Sequence, residues 1–430
     1  MAIVVRGWRN YNGGAWGRSL VSTIAALLYL SALYIPAELQ SAGELRSKLV
    51  TAGVLSTPSV NEVTQLCLRW TCELSIVLLG EVIAGVLLRR RVGGHSTLAP
   101  DNGRRHSRQV ARRASLLLMT VGAAAYVAFP AANLVNRADP GQGVGIILRG
   151  CLVAGVAIAI FYGHFESRWF VAASLLVTLV VAVSVVRSPL FLIAFAGLAR
   201  VLVEARVRLY QVVAVSVALV LLAAIMSGQR ANISRDQGLS LQEVSEAAIQ
   251  DPLISVLEAG VDTLDGYRLS QNVSQYEQPQ PGDLLRIVTT FVPRSLWPDK
   301  PGSVSVYVSH KYLGWNSSGI FLSPVGNLTL ATGEYLLALL VLLFVSVIGS
   351  IISIGLQRTV WSGLVAYGFF RFFLNGSSFD FYYVLVFAVP MIGAFWLCNP
   401  RAKHPAIAAE GRSETPATQV GVSEREVNRS

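Results

Sequence analysis

The chain has 430 residues, of which 53% are hydrophobic and only 14% charged, and its formal net charge is +10. A soluble domain carries about a quarter charged residues, so these proportions exclude an ordinary soluble enzyme and define a polytopic membrane protein. The positive balance is not a nucleic-acid signature, because the basic residues stand beside apolar runs where topology explains them.

Crossing roughly 30 Å of hydrocarbon takes about 20 apolar residues. Such runs recur at 19–37, 64–88, 115–135, 144–163, 169–187, 189–203, 208–227, 335–356, 359–375 and 377–398. The expected fold is therefore an all-α polytopic membrane protein of about ten transmembrane helices with one large, partly helical extracytoplasmic loop. The run at 189–203 is short and opens on Ser188-Pro189; it reads either as a span or as the re-entrant partner of the helix before it. The domains follow: a bundle over 1–227, a cap loop over 228–334, a second bundle over 335–398, and a tail over 399–430 too polar to fold.

Lys and Arg beside short loops stay in the cytoplasm. Arg6, Arg9 and Arg18 precede the first run, and Arg89, Arg90, Arg91, Arg104, Arg105, Arg108, Arg112 and Arg113 follow the second. Both segments are expected inside, with both termini cytoplasmic, the loop outside, and the protein in the plasma (inner) membrane. The loop itself carries seven Lys or Arg against eleven Asp or Glu. The first run lacks a short apolar core followed by a small-residue cleavage site, so it is expected to remain as an anchor. Cys67, Cys72, Cys151 and Cys398 fall within or at the ends of spans without zinc-like spacing. Neither disulfide, metal nor cofactor is expected.

In the loop, helical spacing runs through 239–270 with a break near Pro252, a polar linker covers 272–281, and a further helix over 283–292 ends at Pro293. At membrane depth the ionisable residues carry the information, because each costs several kcal/mol unless paired or wetted. Arg149, Arg187, Arg230 and Arg371 fall near the outer ends of spans. Guanidinium forks there suit a lipid diphosphate, whereas the bland reading is snorkelling or helix capping. Arg69 lies one turn before Glu73, so an intrahelical pair explains both; a proton or ion route would need Glu81 to have a distant partner. The run Pro293-Arg294-Ser295-Leu296-Trp297-Pro298-Asp299-Lys300-Pro301 makes a rigid turn presenting an arginine, a ring, an acid and a lysine. Trp297, Tyr312 and Trp315 offer faces for sugar stacking or belt anchoring, and His310 is the loop's only histidine.

These elements resemble the Wzy-type O-antigen and exopolysaccharide polymerases. The likeness is carried by Arg187-Ser188-Pro189, Gly228-Gln229-Arg230, Phe291-Val292-Pro293-Arg294 with Trp297-Pro298-Asp299-Lys300-Pro301, and Ser323-Pro324-Val325-Gly326. Members often have Gly-Glu-Leu after the Ser-Pro element; this chain has Gly326-Asn327-Leu328 there and Gly333-Glu334 only later. The resemblance implies a metal-independent, inverting glycosyltransferase that joins polyprenyl-diphosphate-linked oligosaccharide repeat units, as donor and acceptor, on the outer face of the membrane. Under it, Arg187, Arg294 and Arg371 hold the diphosphate, with Arg230, Lys300 and Arg149 in support, and His310, Asp299 or Glu334 is the base. A flippase, a chain-length regulator and membrane lipid are the implied partners. An O-antigen ligase shares this layout; a transporter of lipid-linked sugars or a purely structural subunit remains as the alternative from a different class.

Overall fold

The computed structural model of the chain describes residues 20–43, 48–51, 53–92, 101–128, 142–162, 191–193, 195–197, 200, 252–286, 296–297, 302–314, 320–356, 360–377 and 380–399. The spans expected at 169–187 and 208–227, and the loop residues 228–251, lie outside the described residues. Of the run at 189–203, the triplets 191–193 and 195–197 are helical.

All regular structure among the described residues is helical. Helix α1 (Leu20–Tyr29) passes through a π turn (Leu30–Tyr34) into α2 (Ile35–Ser41), and a short α3 (Lys48–Thr51) precedes α4 (Val60–Val92). Then come α5 (Asp101–Ala128) and α6 (Gln142–Tyr162). The loop region supplies α7 (Pro252–Val273), a 3₁₀ turn (Pro281–Asp283), α8 (Val304–Leu313) and α9 (Pro324–Thr332). Finally α10 (Tyr335–Gly355), α11 (Val360–Asn375) and α12 (Asp380–Cys398) follow. Among the described residues, four stretches are long and apolar enough to cross a membrane: Ile24–Ser41, Val60–Leu88, Arg108–Ala128 and Tyr335–Ile354. Ile147–Tyr162, Val360–Leu374 and Val384–Cys398 are shorter apolar helices. The expected run at 115–135 starts early, since α5 is already helical at Asp101 within the basic segment.

Contacts fix the relative directions. Tyr29 meets Glu73 and Ser22 meets Glu81, so α1 and α4 are antiparallel. Tyr335 reaches Glu73 while Gly80 lies against Ser346, so α4 and α10 run parallel. Ser115 Oγ donates to Gly155 O at 2.7 Å and Gly122 packs on Leu152, making α5 and α6 antiparallel. Gly150 faces Phe387 and Tyr162 faces Phe395, so α6 and α12 are parallel, and α12 is antiparallel to α11, with Gly368 at Val384 and Trp361 at Phe395. Small residues at these crossings let backbones approach closely, the main source of helix adhesion where lipid is as apolar as the side chains.

Three cores result. One joins α5, α6, α11 and α12 around Leu118, Ile158, Tyr367 and Met391. A second joins α1, α4, α10 and α11, and takes in Leu264 and Tyr267 of α7 and Val325 and Leu328 of α9. A third, around Leu49, Leu269, Val308 and Leu322, belongs to α3 and the loop region. The second core is the informative one, because it shows that α7 and α9 are packed into the end of the bundle. In α9, every residue from Pro324 to Ala331 is buried. Its entry is strained: Ser323 takes φ 61°, a conformation a non-glycine residue rarely adopts, while its Oγ accepts from Gly326 N at 3.3 Å and its N–H donates to Leu374 O at 3.2 Å. Gly376 must be glycine for two reasons: φ is 73°, and a Cβ would collide with the backbone of Pro324.

Candidate functional site

The end of the bundle where α7 and α9 dock concentrates the buried polar groups. Glu73, fully buried on α4, accepts from Tyr29 Oη at 2.7 Å and Tyr267 Oη at 2.8 Å, with Tyr335 Oη at 3.5 Å. These phenols come from α1, α7 and α10, so one carboxylate ties three helices to a fourth. Local structure aims two more contacts: the π turn starts just after Tyr29 and ends on Tyr34, and i→i+5 winding turns residues five apart toward a similar face. Tyr34 Oη accordingly reaches Cys67 O and Thr71 on the same helix as Glu73. Trp70, fully buried, is met edge-on by the rings of Tyr34 (5.1 Å) and Tyr267 (5.8 Å); each such pair contributes about 1 kcal/mol beyond its buried area.

A second knot lies beside α9. Asn327 Nδ2 donates to Asp283 Oδ2 at 2.8 Å and to Gly376 O at 3.2 Å, and Ser377 Oγ donates to Asp283 Oδ2 at 3.0 Å. Arg286 Nη1 stands 3.7 Å from Asp283 Oδ1. Around it, Gln40 Nε2 donates to Asp265 Oδ1 (3.3 Å), and Arg268 bridges Glu62 Oε1 (3.0 Å) and Ser56 O (2.8 Å). The loop region is thereby bonded to the ends of α2, α4 and α11.

Farther out, Glu277 receives Lys311 Nζ at 2.5 Å, Tyr307 Oη at 2.9 Å and Tyr312 Oη. Hydrogen bonds from Lys311 and Tyr312 hold its carboxyl below the usual carboxylate range. The Glu277 bond raises Lys311 above its ordinary value, and burial, then the Glu277 bond, raises the Tyr312 phenol.

The residues expected to form the site are distributed as follows. Tyr312 belongs to the Glu277 cluster, and its neighbour His310 is exposed in the last turn of α8. Glu334 is exposed at the N-cap of α10. Trp297 is exposed, just after a turn at Leu296. Arg371, half-buried, lies one turn from the end of α11. Arg149, half-buried near the start of α6, lies 4.6 Å from the centroid of the Tyr126 ring. Because α6 and α12 are parallel and α11 antiparallel, Arg149 and Arg371 stand toward the same end of the bundle, the one that seats α7 and α9. Tyr312 packs against the third core, whereas Arg149 lies on α6, whose buried face belongs to the first. Arg187, Arg230, Arg294, Asp299, Lys300 and Trp315 lie outside the described residues.

Two readings change. The expected intrahelical Arg69–Glu73 pair is replaced by the three tyrosines, and Arg69 Nη1 donates to Gln271 Oε1 at 2.6 Å instead. Glu81 does have a partner on another helix, Ser22. Chemically, Glu73 is saturated with donors from three helices, whereas His310 and Glu334 are exposed to solvent. Asp283, Asn327 and the tyrosine set were missed from sequence; the available signal was that a carboxylate inside an apolar run requires partners. No family model, no curated protein and no solved structure matches the chain.

Proposed function

We propose that this chain is a membrane glycosyltransferase that polymerises polyprenyl-diphosphate-linked oligosaccharide repeat units on the outer face of the cytoplasmic membrane. The supporting observation is that Arg149 and Arg371, on apolar helices, stand toward the end of the bundle that also carries the docked loop region. Cations at that depth would stabilise a departing diphosphate in a water-poor setting. The acceptor hydroxyl needs a base, and His310 or Glu334 is open to it. Arg187, Arg294, Arg230 and Lys300 complete the diphosphate site in this reading, Asp299 is the third candidate base, and Trp297, Tyr312 and Trp315 face the sugars.

Topology supports the same arrangement. α10 begins directly after α9, and α11 ends beside α9, with Leu374 O accepting from Ser323 N and Gly376 on Pro324, so α10 runs antiparallel to α11, hence parallel to α12 and α6. Two parallel membrane helices require an odd number of crossings between them. The three spans expected within 163–334 agree with this parity.

The test is a gel of surface glycolipid from a strain lacking this gene, with and without complementation. Collapse of the ladder to one capped repeat supports polymerisation. Loss of all capped glycan with lipid-linked polymer accumulating would identify a ligase, and an unchanged ladder would overturn both.

A further inference from the structure

Glu73 takes its hydrogen bonds from tyrosines, which leaves Arg69 facing outward. Its Nη1 is held by Gln271 Oε1 and its Cζ lies 5.8 Å from the Tyr335 ring centroid, yet the residue is exposed. Among the described residues its Nε and Nη2 have no hydrogen-bond partner. We propose that Arg69, pinned by Gln271 and Tyr335, binds the phosphate of an anionic membrane phospholipid at the rim of the apolar belt. The proposal rests on these helices crossing a membrane and is independent of glycosyl transfer.

Depth carries the first part of the argument. The exposed face of α4 changes character along its length: in its first half Asn61, Thr64, Gln65, Thr71 and Ser75 are exposed around two exposed apolar residues, Val60 and Leu68, whereas beyond Ser75 the large exposed residues, Leu79, Val82, Val86 and Leu87, are all apolar. On the parallel α10 the exposed apolar face starts at Leu336, immediately after Tyr335, which is level with Glu73. Arg69 stands one turn, about 5 Å, on the polar side of Glu73. That is the layer where phosphates lie above a hydrocarbon belt.

Pre-organisation carries the second part. A snorkelling arginine on a bare helix spends rotamer entropy on every contact it makes. Here an amide from α7 and a ring from α10 fix the guanidinium before any lipid arrives, and the fork left over matches two phosphate oxygens. Because Gln271 belongs to the loop region and Arg69 to the bundle, a bound lipid would lie across their junction.

The experiment is native mass spectrometry of the purified full chain with phosphatidylglycerol or phosphatidylcholine added, comparing the intact protein with Arg69→Gln and Gln271→Ala. The expected result is preferential retention of phosphatidylglycerol, reduced about tenfold in Arg69→Gln, the size of one charge-assisted hydrogen bond, and reduced less in Gln271→Ala. Equal retention of the two lipids by the intact protein, or undiminished phosphatidylglycerol in Arg69→Gln, would overturn the proposal. So would displacement of the lipid by inorganic phosphate at equal concentration, which would mark a site for the free anion. If Arg69→Gln fails to fold, Arg69→Lys keeps the charge and loses the fork; reduced retention there supports the site and unchanged retention refutes it.

Discussion

Glu73 and Glu277 meet the same partner chemistry, phenols and a cation, in opposite surroundings. Glu73 is fully buried, its hydrogen-bond donors all come from tyrosines, and Arg69 stays outside with Gln271. Glu277 lies in the loop region with its side chain 9% exposed, and it accepts directly from a lysine that is 48% exposed. The difference shows what burial selects. A phenol delivers a hydrogen bond without bringing a second charge out of water, whereas an ion pair in a dry site carries a desolvation cost that can exceed its attraction. Near water a lysine is affordable, and the contact contributes little net stability.

The comparison can be broken most directly at Glu73. Glu73→Ala strands Tyr29 and Tyr267 hydroxyls in the core and should destabilise the detergent-purified protein by about 3 kcal/mol, read as a large fall in thermal unfolding temperature. Glu73→Gln keeps an acceptor and should cost less. Gly376→Val comes next, at about 2 kcal/mol, because it forces a β-branched residue to positive φ against Pro324; unfolding measurements that find it silent would show that α9 does not need its tight approach to α11. Asn327→Ala should follow at about 1–2 kcal/mol, as Asp283 loses a buried donor.

Glu277→Gln should give the smallest change, and its signature is pH dependence. A carboxyl lowered on folding adds stability above its ordinary value of 4.5 and loses it as pH falls through the folded value. Lys311, raised on folding, adds stability below its ordinary 10.5 and loses it as pH rises through the folded value. The cluster is therefore whole between these limits. Unfolding scans below pH 4.5 should separate the intact protein from Glu277→Gln less and less; a separation that persists unchanged into acid would contradict the assignment.

The apolar helices were legible because composition and length dictate them: the runs expected at 335–356, 359–375 and 377–398 appear as Tyr335–Gly355, Val360–Asn375 and Asp380–Cys398. The docked α9 was not, since Pro-Val-Gly-Asn-Leu-Thr-Leu-Ala-Thr is short, small and partly polar, and its burial comes from neighbours distant in the chain. The partners of Glu73 were hidden for the same reason, lying 44, 194 and 262 residues away. Arg69 and Glu73 looked like a pair because helical spacing permits one. Only the tertiary arrangement decides that tyrosines take the carboxylate. Among the expected site residues, Arg149 and Arg371 stand toward one end of the bundle, and their relation to His310 and Glu334 depends on how α8 and α9 pack.

The central claim is chemical, and the measurement that tests it most directly is the surface-glycan ladder of a deletion strain complemented with Arg371→Ala at normal protein level. Transfer from a diphosphate carrier predicts collapse to a single capped repeat with export of the lipid-linked unit intact. A full ladder, or blocked export of that unit, would contradict it.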